Sequence, residues 1–181
     1  MNDTMIGIMR VAGLMVVAAL TVGCGGAPDA LEVARSGLDE DSDLWADVPE
    51  ASVDRERVHE GTGCLYVFAT DRVKVPVMDV SGISAESDSL AVTLWARTEI
   101  LQNQAILEVL IDSEGRDPRL ARTTLTDVRR TTPWSPATAT FALLEGELPN
   151  RIRVALIIPD PGKLWIDDVA VWDGASTPDM E

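Results

Sequence analysis

The chain has 181 residues, with 15 Lys and Arg against 30 Asp and Glu, a formal net charge of −15. That balance excludes nucleic acid as a partner, because phosphate binding needs clustered cations to release counterions. It also disfavours docking on anionic lipid through a basic patch. With 46% hydrophobic and 25% charged residues the composition is that of a globular chain, and the length suits one domain of ordinary size.

Residues 1–10 carry one acid, Asp3, and one base, Arg10, so with the free amine this end is weakly positive. Residues 11–22 (VAGLMVVAALTV) form an unbroken apolar run of twelve. A helix of that length rises about 18 Å, short of the ~30 Å hydrocarbon core, so the run reads as the apolar stretch of a secretion signal rather than a permanent span. It ends Leu20-Thr21-Val22-Gly23-Cys24, followed by Gly25-Gly26-Ala27-Pro28-Asp29. Small residues before a cysteine at this place resemble the lipobox of bacterial lipoproteins, in which the cysteine is acylated and becomes the mature N-terminus. The resemblance implies a signal peptide over 1–23, lipidation of Cys24, a tether over 24–36 and residence at the cell envelope. Gly25 in place of an acid points to the outer membrane in a cell that has one. Acyl chains at ~0.8 kcal/mol per buried CH₂ make such an anchor effectively permanent. The mature chain then keeps only Cys64, which lies in the strand-like run Cys64-Leu65-Tyr66-Val67-Phe68 and reads as a small buried hydrophobe.

Residues 37–49 are acidic around Trp45. Beyond them no long 3.6-residue periodicity occurs. Short runs rich in Val, Ile, Thr, Leu and Trp alternate with Gly, Pro, Asp and Ser about every ten residues, the pattern of an all-β sandwich or barrel. Strands are expected over 64–69, 72–77, 90–97, 105–112, 120–126, 138–143, 151–158 and 164–172. Turns are expected at Ser81-Gly82, 113–115, Pro133-Trp134-Ser135-Pro136, Glu145-Gly146 and 159–162. Eight strands suit an antiparallel two-sheet jelly roll over 37–173, followed by a tail over 174–181.

Alternation assigns faces within each strand. Leu90, Val92, Leu94 and Ala96 form one apolar set. Leu107, Val109 and Ile111 form a second, and Ile152, Val154, Leu156 and Ile158 a third. These belong in the core. The opposite parity holds Trp95, Arg97, Glu108, Asp112 and Arg153, expected together on the outer surface of a sheet. Asp167 has the parity of Val169 and Val171, which directs its carboxylate inward. A carboxylate there needs a cation or several donors, and Ca²⁺ prefers such oxygens.

Three stretches resemble one family. Val58-His59-Glu60-Gly61-Thr62-Gly63-Cys64-Leu65-Tyr66-Val67 is similar to the "histidine, small residue, glycine, then strand" segment of carbohydrate-binding modules with a galactose-binding-type jelly roll. Leu90-Ala91-Val92-Thr93-Leu94-Trp95-Ala96-Arg97 resembles their central strand. Leu164-Trp165-Ile166-Asp167-Asp168-Val169-Ala170-Val171 resembles their closing strand, and the order fits the CenC-like cellulose-binding group. The resemblance implies a structural Ca²⁺ held by Asp167 with Asp39 or Glu40. It also implies a glycan gripped by aromatic faces and polar side chains on a concave sheet, for which Trp95, Arg97, Glu108, Asp112, Arg153 and the loop residue Trp134 are the candidates. The sequence departs from the family in its aromatic content of 4%, with Tyr66, Phe68 and Phe141 in apparent core runs. Ile106, Leu110, Ala155 and Ile157 also stand where the concave face would need polar side chains.

Catalysis finds no motif. The single histidine, His59, lies in the glycine-rich turn, and no Gly-x-Ser-x-Gly elbow, phosphate-cradling loop or His/Cys metal set is present. The sequence therefore implies a non-catalytic envelope lipoprotein whose partner is either a polysaccharide or, for a scaffold that has lost the sugar site, an envelope protein.

Overall fold

A computed structural model describes residues 31–40, 42–126 and 128–174. The leader, Cys24 and residues 175–181 lie outside the described residues. The chain is all-β. In order it forms β1 (Leu31–Ser36), a 3₁₀ turn (Asp43–Trp45), β2 (Ala51–Asp54), β3 (Cys64–Ala69), β4 (Val73–Ser81) and β5 (Ser89–Leu101). Then follow β6 (Ile106–Ser113), β7 (Arg119–Thr124), β8 (Arg130–Ala142), β9 (Pro149–Ile158) and β10 (Gly162–Asp173). Two antiparallel sheets face each other, a jelly-roll-like sandwich. Sheet A runs β2-β3-β10-β5-β8, with β1 paired to the later half of β10; sheet B runs β4-β9-β6-β7.

Alternation builds the core as expected. Leu90, Val92 and Leu94 of sheet A meet Leu107, Val109, Ile111, Ile152, Val154 and Leu156 of sheet B, and all are essentially solvent-free. Burial of each such side chain is worth about 1.5–3 kcal/mol, which fixes register, since a one-residue slip would turn the whole set to water. Trp45 is buried in the same core from the 3₁₀ turn, whose N-cap Ser42 accepts a hydrogen bond from Leu44 N at 3.2 Å.

Four expectations are corrected. Residues 31–36, expected in the tether, form β1 and extend sheet A. The Pro133–Pro136 segment is not a turn but lies inside β8. That strand is the edge of sheet A, where a missing ladder donor is tolerated. Tyr66 and Phe68 do not face the core: Leu65, Val67 and Ala69 do, and Phe68 is 50% exposed. Asp167 does not point inward either. Between the pairs Asp167↔Trp95 and Ala170↔Thr93, β10 places Asp168 and Val169 opposite the single residue Leu94. This bulge, with Asp168 at φ +50°, reverses the parity, so Asp167 shares the outer face with Trp165 and Ala170 while Val169 and Val171 turn inward. Arg35 of β1 holds the Asp168 carboxylate.

The outer face of sheet B is laced with ion pairs. Glu108, 3% exposed, accepts from Lys74 and from Arg122 Nε at 2.6 Å. Arg151 bonds Asp79 through Nε and Nη2 at 2.7 and 2.6 Å, and Arg153 Nη2 bonds Asp112 at 2.8 Å. Burial pushes the Glu108 carboxyl up, but the hydrogen bonds from Lys74 and Arg122 outweigh it and hold the group below its ordinary value. A depressed carboxyl contributes stability above its unfolded pKa and loses it as pH falls through the folded value. Glu108→Gln is therefore expected to cost about 1–2 kcal/mol at pH 7, with partners this exposed. In denaturant melts against pH the deficit should shrink on acidification through the carboxyl range.

Candidate functional site

Apart from Trp45 and Phe141, every aromatic residue of the chain lies on the outer face of sheet A. Tyr66 and Phe68 come from β3, Trp95 from β5, Trp134 from β8, and Trp165 and Trp172 from β10. The face is organised by the β2–β3 connection, which folds back over it. Asp54 starts this loop: its Oδ1 accepts from Glu56 N at 2.8 Å and Arg57 N at 3.2 Å, while its Oδ2 accepts from Trp165 Nε1 at 2.7 Å. Burial pushes the Asp54 carboxyl up, and these hydrogen bonds outweigh it and bring it below the ordinary range.

Two further carboxylates hold the loop down. Asp39 Oδ1 accepts from Thr62 N at 2.7 Å and Gly63 N at 3.0 Å. Asp167 Oδ2 accepts from His59 N at 3.2 Å and Glu60 N at 3.0 Å, and its Oδ1 accepts from Asp168 N at 2.8 Å. The glycines are required by this closeness. Gly61 has φ +73°, and a Cβ there would meet Asp39 Oδ1 at 2.4 Å; a Cβ on Gly63 would meet the Asp39 carbonyl oxygen at 2.6 Å. Cys64 lies beneath, fully buried, its Sγ donating to the Arg57 carbonyl at 3.3 Å. Burial and the charges of Asp167, Asp54 and Asp39 push its thiol up to about 12, so it is no nucleophile at neutral pH.

The loop so held lays the His59 ring on Trp95, with centroids 3.9 Å apart and planes 18° from parallel, and Trp134 tilts against His59 at 5.5 Å. Beside this stack Trp165, completely buried, packs against Tyr66 at 4.9 Å. The Arg57 and Arg97 guanidinium groups stand 5.1 and 5.6 Å from its ring centre. Farther along, Trp172 donates from Nε1 to Thr93 Oγ1 at 2.9 Å with Arg35 over its ring.

The six ligand candidates from the sequence do not share a surface. Trp95, Arg97 and Trp134 stand on the outer face of sheet A. Glu108, Asp112 and Arg153 stand on the outer face of sheet B, across the sandwich. Alternation gives each strand's parity, but which sheet a strand joins depends on distant pairing. Tyr66, Phe68 and Trp165 were missed because Cys64–Ala69 and the start of β10 are apolar on both faces, which leaves alternation without contrast.

Asp39 and Asp167 are supplied with backbone N–H donors, the other way to satisfy a covered carboxylate, and Glu40 is exposed. Among the described residues no group of three or more His, Cys, Asp and Glu side chains is placed to hold a metal ion.

No protein-family model matches the chain, and no curated protein matches it significantly. Solved structures do match. One is a family 16 carbohydrate-binding module, at 10% identity over 71% of this chain and 90% of that chain, TM-score 0.51. Another is the CBM22-1 xylan-binding domain from Paenibacillus barcinonensis Xyn10C, at 7% identity over 83% of this chain and all of that chain, TM-score 0.53. A third comprises the CBM22-1–GH10 modules of Clostridium thermocellum xylanase 10B complexed with xylohexaose, at 13% identity over 82% of this chain and 29% of that chain, TM-score 0.56. At these identities the likeness is one of fold: the chain has the β-sandwich fold of carbohydrate-binding modules.

Burial, aided by the charge of Asp39, raises the Asp167 carboxyl above its ordinary value; the three backbone N–H bonds offset this only in part. For this group alone, stability is greatest below the unfolded carboxyl pKa and falls as pH rises through the folded one. Asp167→Ala is nonetheless expected to cost about 2–4 kcal/mol, because part-buried backbone donors lose their acceptor. With these donors in place calcium and EDTA are expected to leave the wild-type Tm unchanged; a Tm raised by calcium and lowered by chelator would support the cation.

Proposed function

We propose that this chain is a non-catalytic glycan-binding module, held at the cell envelope by a lipid on Cys24, and that the outer face of sheet A receives the glycan. The observation that carries the reading is the gathering of nearly all aromatic side chains on that one face. Saccharide rings present apolar C–H faces that pack on aromatic rings, while nearby polar groups fix orientation. Half-buried Tyr66 and Trp134 and exposed Phe68 supply apolar surface, and Arg97, Glu99 and Lys163 supply polar groups. Trp95 contributes less directly, since His59 lies on its ring. The xylan-binding domain and the xylohexaose complex among the structural neighbours support the ligand class. The lipid anchor rests on the lipobox resemblance, and Gly25 after Cys24 supports the outer membrane in a cell with two membranes.

A second reading, a scaffold that binds an envelope protein, is favoured by Leu31, Leu144 and Leu148. All three are exposed at the end of the sandwich where the chain enters β1.

Affinity electrophoresis of the full chain in mild detergent against a polysaccharide panel separates the two. The glycan reading predicts retardation by at least one polysaccharide, reduced about tenfold or more by Tyr66→Ala with Trp134→Ala in a variant that still melts cooperatively. Retardation untouched by that double variant would move the site off sheet A, and no retardation by any glycan would leave the scaffold reading.

A further inference from the structure

The aromatic face also gathers half-exposed cations whose ion pairs are long. Arg57, Arg97 and Lys163 stand around Tyr66 and Trp165, with side chains 47%, 34% and 34% exposed. Both guanidinium groups lie within 6 Å of the buried Trp165 ring, so two cationic heads share a small area beside half-buried Tyr66. Their carboxylate neighbours are Asp54 and Glu99. Asp54 accepts from Trp165, Glu56 and Arg57 main-chain or ring N–H groups, and its closest approach to Arg57 Nη1 is 3.9 Å. Glu99 is divided between Arg97 Nη2 at 3.2 Å and Lys163 Nζ at 3.7 Å. Three cations thus share two carboxylates, at 3.2–3.9 Å.

Sheet B shows the contrasting arrangement. There Arg151 and Arg153 are each closed against their own acid at 2.6–2.9 Å, and Glu108 takes both Lys74 and Arg122. On the aromatic face Arg35 is held as tightly, by Glu32 at 2.7 Å and by Asp168, whereas the pairs of Arg57, Arg97 and Lys163 are longer, at 3.2–3.9 Å. A neutral sugar would use the rings and leave the guanidinium groups to water. A sugar carrying a carboxylate would use both, since the planar fork of Arg matches a carboxylate with two parallel N–H···O bonds. The net charge of −15 repels polyanions at a distance. At physiological salt that repulsion is screened beyond about 8 Å, so the local cations decide at contact.

We infer that the ligand of this face is an acidic polysaccharide, its uronate carboxylates bound by Arg57 and Arg97 while a sugar ring packs on the adjoining aromatic side chains. The inference rests on the glycan-binding reading and adds the ligand's charge.

A matched pair of ligands tests it: polygalacturonate and the same polymer with its carboxylates methyl-esterified, titrated into the full chain in mild detergent. Retention of polygalacturonate about tenfold or more tighter than its ester is expected, the size of a charge-assisted bidentate contact. Arg97→Gln with Arg57→Gln should bring the two polymers to equal affinity. Lys163→Gln should narrow the gap if the double variant fails to fold. Equal affinity of the wild-type chain for both polymers, or preference for the ester, overturns the acidic ligand while leaving glycan binding intact. Binding to neither, with neutral polysaccharides also inert, overturns both. Preference for sulfated over uronate polymers would contradict the carboxylate specifically.

Discussion

The arrangement of this face depends on one interaction: two carboxylates from distant parts of the chain holding down the loop between β2 and β3 by its backbone N–H groups. Asp39 reaches Thr62 and Gly63 from the β1–β2 connection, and Asp167 reaches His59 and Glu60 from the bulge in β10. A loop over a sheet face would otherwise leave unpaired donors in a covered place, at about 1–3 kcal/mol each. With those donors satisfied, His59 comes to rest on Trp95, Cys64 is sealed, and Arg57 is delivered over Trp165. The same device recurs at the opposite end of the sandwich. There Asp173 accepts from Glu86 N and Ser87 N, and buried Glu147 accepts from Leu144 N and Arg119. Part of the chain's acidity is therefore internal, used to fasten loops, and only the remainder is a solvated surface.

The two outer faces have been given different chemistry. Sheet B's is closed by ion pairs between adjacent strands, with Ile157 and Ala155 buried among them. Such pairs hold strand register and leave little polar capacity for a ligand. Sheet A's face keeps rings and loosely paired cations under a loop that is itself part of the surface. That asymmetry, more than the fold it shares with carbohydrate-binding modules, is what directs the functional reading, because a sandwich of this kind is a support on which many sites can be built.

Much of the fold was legible because parity is a local property. Leu90-Val92-Leu94, Leu107-Val109-Ile111 and Ile152-Val154-Leu156 each declare a buried side within their own strand, and each is buried. Sheet membership is not local. Trp95 and Glu108 looked alike, as polar-side residues of neighbouring strands, yet β5 pairs with β10 and β8 while β6 pairs with β9 and β7. The bulge at Asp168 was equally hidden. One extra residue in β10 turned Asp167 from an inward acid into the clamp of the loop, and nothing in Ile166-Asp167-Asp168-Val169 separates a regular strand from a bulged one. The prolines flanking Trp134 read as a turn because their tolerance in β8 depends on its being an edge, which again is set by pairing at a distance.

The carboxylate clamp is most directly tested by amide hydrogen exchange at single-residue resolution. If Asp39 and Asp167 hold the loop as described, the amides of His59, Glu60, Thr62 and Gly63 will exchange within about tenfold of those of Leu65 and Val67 in β3, opening only with the sheet. Exchange of those four amides at the rate of an unstructured peptide, while β3 stays protected, would contradict the account.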